Sequence, residues 1–106
     1  MRTIKSLTES QFENDRVYVY LKDDKTGKAF LVQAEAEGFT YCDGAKPTSR
    51  EYSEIMAVNT DNTINFVGAV GRMAFGASAN VGGKKLIRID FAKYATGAPD
   101  YEYKKE

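Results

Sequence analysis

The stretch K-T-G-K-A-F-L-V-Q-A-E-A-E, residues 25–37, decides how this chain is read. Phe30, Val32, Ala34 and Ala36 alternate as in a strand, while Phe30, Leu31 and Ala34 form a helical stripe. Composition breaks the tie. Three alanines together with Gln33, Glu35 and Glu37 favour a helix, because these side chains lose little rotamer freedom there. Asp24 or Thr26 is placed to cap its start, and Gly38 falls where a helix wants a left-handed residue at its end. The alternative is a strand pairing back on the preceding segment.

That preceding segment, R-V-Y-V-Y-L-K at residues 16–22, has strand composition. Val17, Val19 and Leu21 share one face and Tyr18 and Tyr20 the other. Before it, residues 6–14 read as a short helix, with Thr8 as N-cap, Gln11 in capping-box position and Leu7 with Phe12 as a hydrophobic staple. After residue 38, Phe39 to Asp43 reads as a short strand ending at Gly44, and residues 46–49 as a loop. Residues 54–58 and 63–67 flank N-T-D-N-T as a hairpin, with Asn62 supplying the positive φ of the turn. Residues 68–83 hold five of the nine glycines and read as a loop with apolar anchors or one poor helical turn. Lys84 to Phe91 is a last strand, with Leu86 and Arg88 facing opposite to Ile87, Ile89 and Phe91. The polar tail, about residues 95–106, is expected to be partly disordered.

Strands outnumber helices and do not alternate strictly with them. The expectation is a single α+β domain spanning residues 1–106, with a mainly antiparallel sheet of four to six strands and one or two helices on one face. At 106 residues, folding buries roughly 65% of the surface the unfolded chain exposes, enough for one core without disulfide or metal. Fifteen basic and fifteen acidic side chains cancel, which argues against a protein whose main work is neutralising phosphates. Cys42 is the single cysteine and histidine is absent. These counts exclude a zinc cluster, a histidine-activated nucleophile and an internal disulfide framework. Residues 1–7 lack the apolar run of a signal peptide and no stretch approaches membrane-spanning length, so the expected setting is the cytoplasm, with no membrane partner.

Four features could carry function. Tyr18 and Tyr20, with Tyr101 and Tyr103 at the same spacing near the end, would offer a rigid amphipathic surface if they face outward; the alternative is that they line a half-solvated sheet face. Arg72, Lys84, Lys85 and Arg88 give residues 68–93 a positive excess beside aromatic rings, the pairing single-stranded nucleic acid uses. The glycines around residues 68–85 miss the spacing of a phosphate loop, since Ser78 stands where the first glycine would be and Lys84 is followed by another lysine. Asp43, Glu51, Glu54, Asp61 and Asp90 read as turn formers and solvated charges, and Cys42 as a buried, inert thiol. No catalytic, cofactor or metal site is expected.

The run A-E-A-E-G-F-T-Y-C-D-G-A-K-P-T at residues 34–48, followed by I-M-A-V-N-T-D-N-T-I-N-F-V-G at 55–68, resembles small uncharacterised proteins of Gram-positive bacteria, their phages and mobile elements. The resemblance implies a helix ending in Glu-Gly, a short aromatic strand, a glycine turn and a hairpin. It carries no catalytic residues. The function expected is non-catalytic binding, to another protein or to a second copy as a homodimer. The alternatives are a weak single-stranded nucleic-acid binder using residues 72–93 and a small-molecule-binding or sequestering protein.

Overall fold

The alternation in Arg16–Tyr20 organises the sheet. A computed structural model describes residues 3–7, 16–68, 73, 75–77 and 86–103, and in it Arg16–Tyr20 is strand β1. Val17 and Val19 enter one core cluster and Tyr18 the other. β1 pairs antiparallel with β3 (Ile55–Val58) and parallel with β5 (Leu86–Asp90). β4 (Thr63–Phe66) continues the sheet antiparallel to β3, and the two-residue β2 (Thr40–Tyr41) closes it parallel to β4. The order is β2-β4-β3-β1-β5.

This is the α+β class expected, with one correction. The sheet is mixed rather than mainly antiparallel, two of its four pairings being parallel. Among the described residues only β3 and β4 form a hairpin, turning at Asn62 with φ 65°. The parallel pairs join strands far apart in sequence, and alternation within a strand is blind to the direction of its neighbour.

Residues 24–36 are helical. Helix α1 (Asp24–Ala36) buries Gly27, Phe30, Leu31 and Ala34, a stripe with helical spacing. Its cap is Asp23, one residue before the expected Asp24, whose carboxylate accepts the Thr26 N–H at 2.8 Å. At the other end Phe39 N–H reaches Ala34 O and Gly38 N–H reaches Glu35 O. With Gly38 at φ 88°, this is the Schellman closure that leaves no positive-φ strain. β5 stops one residue short of the expected Phe91, because Asp90 caps helix α2 (Phe91–Ala95) by accepting the Lys93 N–H. Phe91 still lies in the core, edge-on to Phe30 at 5.1 Å.

The expected loose tail is corrected as far as Tyr103. Asp90 N–H donates to Tyr101 O at 2.8 Å, Tyr103 N–H donates to Arg88 O at 3.0 Å, and Glu102 bridges Ile89 in antiparallel fashion. Backbone polar groups of β5 are thereby satisfied at what would be an open edge. Of the segment predicted as a helix over 6–14, residues 6 and 7 belong to a 3₁₀ turn (Lys5–Leu7), and Thr8, Gln11 and Phe12 lie outside the described residues. No helix among the described residues is long and apolar enough to cross a membrane.

Helix and strand readings of residues 25–37 make different predictions for Phe30 and Val32, which share a face only in a strand. Phe30→Ala should cost about 3–5 kcal/mol, comparable to the whole stability of a small domain. Val32→Ala should stay within about 0.5 kcal/mol. Urea titrations followed by circular dichroism measure both, and equal losses would contradict the helical packing.

Candidate functional site

Tyr18, Tyr20, Tyr101 and Tyr103, which would offer a surface if both pairs faced outward, are divided between two packed faces. Tyr18 is only 7% exposed, among Ile55, Ala57, Val67, Phe75 and Leu86. Phe75, from a helical turn at residues 75–77, lies over this face. Tyr103 packs 4.7 Å from Tyr20 and 4.6 Å from Phe75, ring centre to ring centre. Tyr101 turns the other way, edge-on to Tyr94 at 5.0 Å beside the helices. The spacing of Tyr101 and Tyr103 predicts a shared face only within a regular strand, and here Glu102 makes a single isolated bridge.

Arg88 shares the Leu86 face, as its spacing predicts, but it serves the fold. Its Nη1 donates to Phe75 O at 2.8 Å, and its guanidinium lies 5.7 Å and 5.5 Å from the Phe75 and Tyr103 ring centres. These contacts use the cation and ring faces that stacking on a nucleic acid would require. Arg72, Lys84 and Lys85 lie outside the described residues.

The structure adds a site that the sequence reading did not name. A groove of about 730 Å³ runs between the flank of α1 bearing Asp24, Lys28 and Val32 and the loop bearing Arg50, Glu51 and Tyr52. Val32 is 60% exposed and gives this groove an apolar patch. Lys28 and Asp24 pair at 2.9 Å across one helical turn, which holds the lysine above its ordinary pKa.

Two contacts hold the loop against α1, and a third, through Arg50, ties it to Tyr41 and the turn after β2. Thr48 donates to the Glu35 carboxylate through its hydroxyl at 2.7 Å and its N–H at 3.3 Å. Arg50 bonds the Asp43 carboxylate and lies 4.7 Å over the Tyr41 ring. Tyr52 packs its ring on Gly27 so closely that a Cβ there would stand 2.3 Å from Tyr52 Cγ. A glycine inside an otherwise alanine-rich helix was the available sequence signal for such an approach. The Thr48 hydroxyl and N–H hold the Glu35 carboxyl below its usual range, and Arg50, then the Ala45 N–H, do the same for Asp43. The Tyr41 hydroxyl is buried with no partner among the described residues, and burial raises its pKa.

Cys42 is a further correction. It is exposed, its sulfur 3.7 Å from Thr63 Oγ1, because β2 ends at Tyr41 and the cysteine falls in the following turn. Asp61 accepts from the Thr63 hydroxyl and Asp90 caps α2, so these acids act within turns and caps. Among the described residues no three histidine, cysteine or acidic side chains converge as a metal site.

Gly27→Ala tests the groove wall. Within a helix this change ordinarily gains about 1 kcal/mol, but collision with Tyr52 should turn it into a loss of about 1–3 kcal/mol. In a Tyr52→Ala background the gain should return, as read by denaturant unfolding. Acid should release the loop: carboxyls with depressed folded pKa values contribute stability above the ordinary carboxylate range and lose it as pH falls through the depressed values. Thr48 and Arg50 resonances should therefore move below about pH 4, and constancy to lower pH would contradict the pinning. Comparison with known proteins finds no relative: no protein-family model, no curated protein and no solved structure matches this chain.

Proposed function

We propose that this protein is a small non-catalytic binding protein whose partner is another protein, held as a short segment in the groove between α1 and residues 48–52. One observation carries the reading. The groove places a half-exposed aliphatic side chain, Val32, among charges that cancel, Asp24 and Glu51 against Lys28 and Arg50. A polypeptide carrying an aliphatic residue between charges of opposite sign complements such a surface, whereas a polyanion meets as much repulsion as attraction. Arg88, the described member of the basic patch, is engaged with Phe75 and Tyr103, which also favours a protein over a nucleic acid. The proposal includes a cytoplasmic setting and an accessory role of the sort implied by the resemblance of residues 34–48 and 55–68.

The test is selection from a displayed library of random short peptides against the immobilised protein. Enriched peptides should carry an aliphatic residue flanked by an acid and a base. Val32→Glu should weaken their binding by about tenfold or more, since burying one aliphatic side chain is worth about 1.5–3 kcal/mol. A single-stranded oligonucleotide at low salt serves as the polyanion control. Absence of enrichment, or equal binding to wild type and Val32→Glu at matched stability, would overturn the reading.

A further inference from the structure

The charged side chains that line the groove between α1 and residues 48–52 differ in how firmly they are held. Lys28 and Asp24 bond each other on side chains 73% and 67% exposed, and Glu51 is exposed. The Arg50 side chain is 39% exposed and is fixed from three directions. Its Nη2 donates to one oxygen of the Asp43 carboxylate, whose other oxygen accepts the Ala45 N–H at 3.1 Å. Its guanidinium lies 4.7 Å over the ring of Tyr41, itself a member of the core. Its backbone N–H closes the 3₁₀ turn over Pro47–Ser49 by donating to Pro47 O.

Asp43 takes one N–H of a fork that carries several. Those donors diverge along separate edges, so one guanidinium can bridge two carboxylates. Neighbouring donors are already committed: Thr48 gives its hydroxyl proton to Glu35 at 2.7 Å and Ser49 gives its own to Lys46 O at 2.6 Å. The Lys28 ammonium is on Asp24. A donor that is oriented beforehand loses little freedom when it binds, whereas a solvated pair such as Lys28 and Asp24 has to be ordered first. An acidic group entering the groove therefore meets a fixed fork, and a basic group meets acids that extend into solvent.

We propose that Arg50 sets the specificity of this groove, and that the group it reads is the side-chain carboxylate of an aspartate or glutamate in the bound segment. The inference rests on the reading of the groove as a peptide site. The helical wall from Asp24 to Val32 is about 12 Å long, room for about three or four extended residues. A segment lying along it presents side chains to Arg50 rather than its end. Val32 is fixed by the helix and Arg50 by Asp43 and Tyr41, so the spacing between the aliphatic residue and the acid of the ligand is fixed as well. The base of the ligand adds less, at no fixed spacing, because Asp24 and Glu51 are solvated. Recognition is therefore asymmetric, with the acid as its anchor.

The probes are short peptides, acetylated and amidated, with one leucine, one glutamate placed one to three residues to either side of it, and one lysine on the opposite side. Titration of the full chain is followed by NMR at the Val32 methyl groups and the Arg50 Nε–H. At one spacing the glutamate peptide should shift both resonances and bind at least about tenfold more tightly than its glutamine analogue. Replacing the lysine by glutamine should change affinity by less than about threefold. Arg50→Lys keeps the charge and loses the fork, so the preference for glutamate over glutamine should fall below about threefold. Unchanged Thr48 and Tyr52 amide shifts show that the loop of this variant stays in place, and the Arg50 Nε–H shift of the unmodified protein needs no variant. Equal binding of the glutamate and glutamine peptides, with Val32 shifted by both, would overturn the role of Arg50 and leave the peptide groove standing. An undiminished preference in folded Arg50→Lys would do the same. No shift at Val32 from any peptide at millimolar concentration would overturn the groove and this inference with it. A glutamine peptide with a free C-terminal carboxylate that binds as well as the glutamate peptide would put a chain end on Arg50 and overturn the side-chain assignment.

Discussion

Strand β1 is bonded along both edges and buried on both faces, and most of the architecture answers that constraint. Its edges take β3 and β5. Val17 and Val19 need an apolar cover on one side, which α1 and α2 provide through Phe30, Leu31, Ala34 and Phe91. Tyr18 needs one on the other, which Phe75 and Tyr103 provide. A sheet whose central strands are apolar on both faces cannot leave one of them to water without losing much of the burial that stabilises a small domain. The return of the chain end along β5 and the docking of the 75–77 turn are therefore parts of the fold, although both come from polar or glycine-rich sequence.

The same economy explains which surfaces stay open. The edge of β5 is partly taken by Glu102, and β2 offers only two residues at the other end. Pairing between chains through the described strand edges thus finds little exposed ladder. Two surfaces on the described residues lie around α1. One flank of the helix, with Val32, forms a groove with the loop that Thr48, Arg50 and Tyr52 pin in place. Its C-terminal end, with Gln33 and Glu37, receives the N-terminal segment. One helix thus presents two surfaces of different character, one open and charge-balanced, the other occupied.

How far the sequence could be read depended on the range of the interactions involved. The helix over residues 24–36, the hairpin at Asn62 and the opposite facing of Val17 and Tyr18 all follow from neighbours a few residues apart. The cap at Asp23 stands one position before Asp24 and three before Thr26, within the spread that a helix start allows where three capping side chains lie close together. The absence of histidine bears on whether Cys42 is activated and says nothing of its exposure, which follows from β2 ending at Tyr41, one residue before it. The candidate site was far less legible. Tyr18 and Tyr20 carry the pattern of a surface, and Phe75 and Tyr103, more than fifty residues on, cover it. Nothing local to Lys28 or Val32 announces a groove, whose second wall is built from residues 48–52. Gly27 was the one local trace of it.

The sequence by itself determined the class of the protein, the types of most elements, which side chains share a face, and the lack of a histidine or of a second cysteine for an internal disulfide. Those properties reside in backbone propensity, periodicity and residue counts, and each is settled within a few residues or by composition alone. Tertiary structure decided the parallel pairing of β1 with β5, the burial of Tyr18, the division of Tyr101 from Tyr103, the employment of Arg88 inside the fold and the seating of Ile4 and Leu7 against Glu37. Each of these joins groups far apart along the chain, where pairing is chosen by which assembly satisfies the most backbone groups and buries the most apolar surface at once, a choice that no short stretch of sequence contains.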